Sequence, residues 1–531
     1  METIMRAKTI GNKLWAMLLT AVMVISMMTA ATASAEESDG DYSSFTIGVS
    51  SLFSSLEPNS TTSDYSDLFY MPLATVDYET GDTVGLMGDV TWSDDRLTMY
   101  FEMWDNIYDA DGNHITASDA LFCWDRAKEE GSNLISSFES WEQTGEYTLE
   151  FHLKTVPTMS GQKLPVYIYS QAAYEASSDG FVTMPVSCAI YKVKEFTSDY
   201  KLVLERNEDF WATDEQIEQI ESVLGDIWTA NWDEIELYVI SESTQMTIAL
   251  ETGDIDYSAN VSGDDLELFE EGGEMSDEYY VWNKVNGLTY VIDYNTDEVS
   301  PLSDIRVRQA LSYAISNEYI VQMVFKGEAL ETHEVGGSFL IDYNEDWNTE
   351  DNYYQYDLEK AKELLEEAGY GDGLSLTLIS MNTNALTDTG VVLQSLLREI
   401  GVDLQLMPLE GNVLTEYRES SRSNWDLFLK VNGSDDYIVN AWSKVYSQTS
   451  NSWEGTSGYY IDETLDEMLT SVSSYDGYSE EAVEEFHEYA IELCLSYGLC
   501  NAYDNIVVER GVQTVTDPTG QKIYWNAFYW E

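Results

Sequence analysis

Between residues 303 and 401 the apolar residues switch repeatedly between a helical period and an alternating one. That switching limits what the chain can fold into. In S-D-I-R-V-R-Q-A-L-S-Y-A-I (303–315), Val307, Ala310, Leu311, Ala314 and Ile315 fall at i, i+3, i+4, i+7 and i+8, a stripe down one helix face. Leu358, Ala361, Leu364, Leu365 and Ala368 form a second stripe, with Asp357 placed to cap its start and Gly369 its end. L-S-L-T-L-I-S (374–380) reads as a strand and V-V-L-Q-S-L-L-R-E-I (391–400) as a helix closed by Gly401. Strands and helices taken in turn predict an α/β lobe. Upstream, strands carry more of the pattern: L-T-M-Y-F-E-M (97–103), Y-T-L-E-F-H-L (147–153), Y-K-V-K-E-F, K-L-V-L-E and I-E-L-Y-V-I. A D-A-D-G-N turn (109–113) leads into an apolar helix that Thr116 and Asp119 start as a capping box.

The chain has 531 residues, enough for three or four domains or lobes at about 150 residues each. Its 97 Asp and Glu against 25 Lys and Arg give a formal charge of −72, yet 44% of residues are hydrophobic, so large cores are expected. Such a charge excludes nucleic acid and anionic membrane surfaces as partners, and it favours amine-bearing or cationic ligands. In so acidic a chain, Arg306 and Arg308 at a helix start call for an explanation, because cations there oppose the macrodipole. They lie two positions apart, about 200° around the helix, and so cannot share a ligand. Pairing of each with carboxylates of neighbouring elements is the expectation.

Residues 1–35 read as a signal peptide: Arg6, Lys8 and Lys13, then an apolar run, then A-T-A-S-A with cleavage after Ala35. The rival reading is a retained anchor, since residues 14–31 approach a spanning length. No cysteine precedes Cys123, which argues against a lipobox and lipid attachment. Cys123, Cys188, Cys494 and Cys500 fit no zinc spacing; as buried thiols or a bridge, their pairing stays open. No nucleophile elbow, zinc-protease or phosphate-loop motif occurs, and D-N-I-Y-D-A-D-G-N-H-I-T fails as a calcium loop because Ile107 and Ser118 stand at ligand positions. Neither an enzyme nor a cofactor or metal site is expected.

Six ordered stretches together resemble one family. They are T-W-S-D-D-R-L-T-M-Y-F-E-M with its D-G turn and T-A-S-D helix, K-L-V-L-E-R-N-E-D-F-W, A-L-E-T-G-D-I-D-Y, the 303–315 helix with V-F-K-G-E-A, D-L-E-K-A-K-E-L-L-E-E-A-G-Y-G-D-G, and S-G-Y-Y-I-D-E-T-L-D-E-M-L. The set is similar to the large bacterial extracellular solute-binding proteins of peptide type, the oligopeptide-, dipeptide- and nickel-binding components of ABC importers. The resemblance implies an α/β, two-lobed, periplasmic-binding-protein-like fold (a venus flytrap) with an extra subdomain inserted in the first lobe. The first lobe would comprise 36–75, 186–290 and 501–531, with the inserted subdomain at 76–185; the second would be 291–500. It implies an exported, monomeric receptor that closes on short peptides and delivers them to permease subunits driven by cytoplasmic ATPases. Alternatives are another solute on the same fold (nickel chelate, haem, oligosaccharide), a secreted enzyme, or a structural acidic surface protein.

Relatives that take peptides ground the α-amine on an aspartate. The matching stretch, W-D-L-F-L-K-V-N-G-S-D-D-Y-I, nominates Asp436, with Asp435 beside it. Tyr437, Trp442, Tyr446 and Trp453 are the aromatic candidates for side-chain pockets, while Trp425 is expected in the core. One departure stands out. Where many relatives have G-T-G-P-Y, this chain has Ser187-Cys188-Ala189-Ile190-Tyr191, which puts local shape near the cleft, and ligand choice with it, in question.

Overall fold

Y-Y-V-W-N-K-V-N-G-L-T-Y-V-I-D-Y is rich in β-branched and aromatic residues, and it forms a strand of 16 residues, Tyr279–Tyr294. At about 3.3 Å per residue such a strand spans about 50 Å, enough to serve two lobes. A computed structural model describes residues 42–58, 65–77, 80–261, 263, 265–348, 353–420, 422–433, 437–447, 462–517, 520 and 522–531. In it Tyr279–Tyr294 runs antiparallel to a second long strand, Ser496–Glu509. One mixed sheet extends outward from this pair. To one side lie Tyr257–Ser258, Phe45–Val49, Glu234–Val239, Lys201–Arg206 and Tyr191–Thr197; to the other lie Leu427–Gly433, Leu374–Met381 and Val402–Leu409.

Phe45–Val49 and Leu374–Met381 are each parallel to both neighbours. Parallel pairing needs a crossover, and helix Asn384–Arg398 supplies it between Leu374–Met381 and Val402–Leu409. Helix Leu358–Glu367 begins where expected, with the Asp357 carboxylate accepting from the Glu359 and Lys360 N–H groups, and Gly369 follows its end at φ 90°. The Thr116–Asp119 capping box starts helix Ala117–Glu129 as expected.

Two smaller sheets, of three and four strands, are built from Met71–Ile168 and share one continuous core with Phe45, Ile235 and the C-terminal Phe528. Separate cores lie beyond the long strands, one around Leu311, Leu393 and Leu427, another around Trp347, Trp442 and Phe486. The sheet and its cores thus form two lobes with additional sheets on the first. The expected divisions at 290/291 and 500/501 fall inside the two long strands. The C-terminal segment returns to the first lobe, where the Trp530 N–H donates to the Tyr42 hydroxyl (3.0 Å) and Lys522 pairs with Asp67.

The ladder between the long strands is interrupted. Its register shifts between Val285 and Thr289 and again between Tyr290 and Val291. Asn501 fills the gap with its side chain, donating to Thr289 Oγ1 (2.8 Å) and to the Leu288 carbonyl (3.3 Å).

The two arginines part company. Arg306 pairs with Asp304, the cap of its own helix, and donates to the Glu367 carbonyl. Arg308 is buried and gives its guanidinium to the carbonyls of Leu302, Ser303, Leu493 and Cys494. Leu493 and Cys494 end helix Glu480–Leu493, where a cation meets the negative end of the dipole, so Arg308 stabilises another helix while sitting in its own. All four cysteines are free and buried. Lys430 Nζ meets Asp293 Oδ2 at 2.8 Å with side chains only 2% and 6% exposed, and Ser496 Oγ donates to Asp293 Oδ1 at 2.7 Å.

Glu509 ends the second long strand beside Asp256. Burial first, then the Asp256 charge and their shared hydrogen bond, push the Glu509 carboxyl up to about 7. A raised carboxyl binds its proton more tightly in the folded state, so its contribution to stability is full below about 4.5, the ordinary Glu value, and is lost as pH rises through about 7. Glu509→Gln keeps a hydrogen-bond donor without the titration. Urea unfolding at pH 5, 6 and 7 is expected to show a shallower fall in stability for this variant than for the wild type; equal slopes would refute the assignment.

Candidate ligand cleft

The inserted sheets reach the second lobe through a short set of contacts. Tyr475, just past helix Glu463–Ser473, lies under the Arg96 guanidinium (3.8 Å from its carbon to the ring centroid) and donates its hydroxyl to Asp82 Oδ1 (3.1 Å). Thr158 and Ser474 form an antiparallel bridge beside it. Arg96 also donates to Gln162 Oε1 (3.0 Å), and Gln162 Nε2 donates to the Gly81 carbonyl (2.8 Å), which fixes the Gly81 turn. Gly81 has φ 72°, and a Cβ there would lie 2.3 Å from Met159 Cε and 3.0 Å from the Tyr437 hydroxyl, so a side chain at this position would strain the turn. Met159 itself is buried in the second lobe's core.

A cavity of about 1210 Å³ opens at this seam, with Thr80 and Met159 on the first-lobe side. It exceeds the roughly 300–1,000 Å³ common for small-molecule pockets. Its second-lobe wall carries Asp342, Glu345, Asp346, Glu480, Glu481 and Glu484, and among the described residues no Lys, Arg or His lines it. Tyr343, Trp347, Tyr437, Tyr475 and Tyr478 are interleaved with the acids. Carboxylates among aromatic faces attract an ammonium twice over, by charge and by the ring quadrupoles.

Asp342 is the acid most built into the structure. It accepts from the Ile438 N–H at the start of helix Ile438–Tyr446 and from the Tyr478 hydroxyl (3.1 Å). Tyr437 stands at the N-cap of that helix but its side chain does not cap it, and Asp342 supplies the acceptor there. Burial pushes the Asp342 carboxyl up to about 6 against these donors. Behind the wall, Glu334 accepts from the Val335 N–H (2.7 Å), the Tyr353 hydroxyl (2.9 Å) and His487 Nδ1 (2.9 Å). Its burial works against the charge, yet these donors hold its carboxyl below the usual range. His487 stacks on Trp347 (4.2 Å, 11°), and Trp347 donates to Glu484 Oε2 (2.9 Å), so the network braces the cavity's indole.

The structure distributes the expected site residues unevenly. Tyr437 lines the cavity, edge-on to Tyr478. Trp442 and Tyr446 are corrections: they are 0% and 5% exposed, packed on Phe486 in the core, because helix Ile438–Tyr446 turns that face inward. Trp425 is buried as expected. Asp435, Asp436 and Trp453 lie outside the described residues. Their described neighbours Gly433 and Tyr437 stand beside Leu288 of the long strand and beside the cavity, respectively. Asp342, Tyr475, Tyr478 and Arg96 escaped the sequence reading; the only local sign was the density of acids and rings in I-D-Y-N-E-D-W. Ser187–Tyr191 is buried within the first lobe, where Ser187 Oγ donates to the Phe69 carbonyl and the Ala189 carbonyl accepts from Asn207, so the departure there shapes that lobe's interior.

Two lobes threaded on a pair of strands, with a cleft at their seam, define a solute-binding class of protein. Residues 71–456 match the family model described as bacterial extracellular solute-binding proteins, family 5 Middle, and the chain belongs to that family. The oligopeptide-binding protein AppA of Bacillus subtilis is 24% identical over 497 residues, covering 85% of this chain and 84% of its own. Among solved structures, HbpA2 from Haemophilus parasuis shares the fold with a TM-score of 0.75 at 17% identity, covering 92% of this chain and all of that one. NikA from Brucella suis, solved in complex with Fe(III)-EDTA, has a TM-score of 0.72 at 17% identity over the same shares. Among the described residues no helix is long and apolar enough to cross a membrane.

Proposed function

We propose that the chain is the extracytoplasmic substrate-binding component of an ABC importer and captures short peptides by their free amine. The observation that carries this reading is the cavity wall of six carboxylates interleaved with five aromatic rings. The name of the Bacillus subtilis relative, an oligopeptide-binding protein, agrees with it. In this reading the first 35 residues direct export. The monomer delivers its cargo to permease subunits with cytoplasmic ATPases. Its lobes, divided near 290 and 500 in the long strands, close by bending at Asn286-Gly287-Leu288, where the ladder is already broken. The Arg96–Tyr475–Asp82 contacts then hold the closed form.

Native mass spectrometry of gently purified protein, followed by sequencing of what denaturation releases, tests the ligand class. A ladder of short peptides is the expected result; a metal chelate or a sugar would overturn the peptide assignment while leaving the family unchanged. In the same reading Asp436 meets the ligand ammonium, a charge-assisted bond worth about 1.5–3 kcal/mol, so Asp436→Asn is expected to weaken binding about 10- to 100-fold. An N-acetylated peptide should bind wild type and variant alike. Full affinity of the variant for the free-amine peptide would remove Asp436 from the site.

A further inference from the structure

The first lobe contains a second cavity, of about 290 Å³, that shares no wall residue with the cleft. It lies between the inserted sheet strands Met71–Val76 and Leu164–Ile168, the segment Leu224–Trp228 and the returning C-terminal residues 522–526. Its walls are largely apolar, and they include Ala189 and Ile190, the residues at which this chain departs from the G-T-G-P-Y of many relatives. The polar groups around it are mostly satisfied. Asp67 accepts from the Tyr167 hydroxyl (2.7 Å) and pairs with Lys522, Tyr524 donates to the Leu224 carbonyl (3.3 Å), and Asn526 donates to the Thr229 carbonyl (2.7 Å).

Lys163 is the exception. It lines the cavity, and its ammonium has no hydrogen-bond or ion-pair partner among the described residues. In a chain with 97 acids and 25 basic residues, two lysines bordering one apolar cavity, one of them without a carboxylate, stand against the prevailing charge. A ligand that fits must bring an apolar body and a single anionic end. At about 30 Å³ for each water-sized group, the space holds about ten such groups.

We infer that this first-lobe cavity is a binding site for a monocarboxylate with an aliphatic tail of about eight to ten carbons, its carboxylate on Lys163 and its tail against Ala189, Ile190 and Trp228. Burial of the tail supplies most of the affinity and the ammonium selects the charge. The site is separate from the peptide cleft, so its failure would leave that reading untouched.

Isothermal titration of the full-length mature protein with decanoate tests it, with decan-1-ol and decylamine as comparison probes and a cleft-binding peptide as competitor. One decanoate per chain is expected, bound at least ten-fold more tightly than decan-1-ol or decylamine and undisturbed by saturating peptide. Lys163→Gln, at a partly exposed position, should keep the wild-type unfolding curve and bind decanoate at least ten-fold more weakly; Ala189→Phe should fill the cavity and abolish binding. Absence of decanoate binding, displacement by the peptide, or equal affinity in wild type and Lys163→Gln would each overturn the assignment.

Discussion

Trp442→Ala is expected to lower the unfolding free energy by about 3–5 kcal/mol and to leave ligand affinity of the folded protein unchanged. The side chain is fully buried, tilted against Phe486 at 4.6 Å and Trp347 at 5.8 Å. Alanine would remove most of an aromatic ring system from a close-packed core and leave a cavity that the surrounding helices only partly close. The indole N–H has no acceptor among the described residues, so part of the tryptophan's burial is spent on a lost hydrogen bond. Trp442→Phe should accordingly cost much less than the alanine change. Urea unfolding of the three proteins, with peptide titration under conditions where all are folded, separates core from site. Retained stability with lost binding in Trp442→Ala would place the ring in the site after all.

Lys430→Met carries a similar penalty by a different route. It leaves Asp293 in the sheet with its charge and without its ammonium, and removal of one partner from a buried pair costs about 3–5 kcal/mol. Ser496 Oγ still donates to Asp293, but a neutral hydroxyl does not offset the desolvation of a carboxylate. The double change Lys430→Met with Asp293→Leu removes both charges and should recover most of the loss, because the pair's attraction roughly balances its own desolvation. Equilibrium unfolding of the single and double variants checks this; equal losses in both would show that packing, not charge, governs the position. The pair joins Leu427–Gly433 to Tyr279–Tyr294, so the strand that leads toward Asp435 and Asp436 is fastened by it.

Elements with a local code were legible in the sequence. Asp357 and Gly369 bracket their helix because caps act within one turn, and the Thr116–Asp119 box needs only four residues. The family was legible too, since six ordered stretches preserve local signals across the chain. Contacts between distant segments were not. Asp342 reaches Ile438 from 96 residues away, and Tyr475 reaches Asp82 across 393, pairings that no periodicity encodes. The arginines show the same limit. Excess carboxylates pointed to ion pairs, yet Arg308 found the carbonyl end of a helix 185 residues downstream. Trp442 and Tyr446 misled because an inward helix face and a pocket wall draw on the same aromatic residues.

The return of the C-terminal segment to the first lobe fixes an order of events during synthesis. The core around Phe45 includes Ile506, Val508, Trp525 and Phe528, whereas among the described residues the second-lobe cores draw on nothing beyond Cys500. A ribosome adding about 5–20 residues per second needs on the order of ten to forty seconds to pass from the first long strand to the second. Through that interval the N-terminal half lacks the strand that completes its sheet, and contacts of such long sequence separation form slowly even once available. The first lobe is thus completed only when residues 506–528 join the core around Phe45.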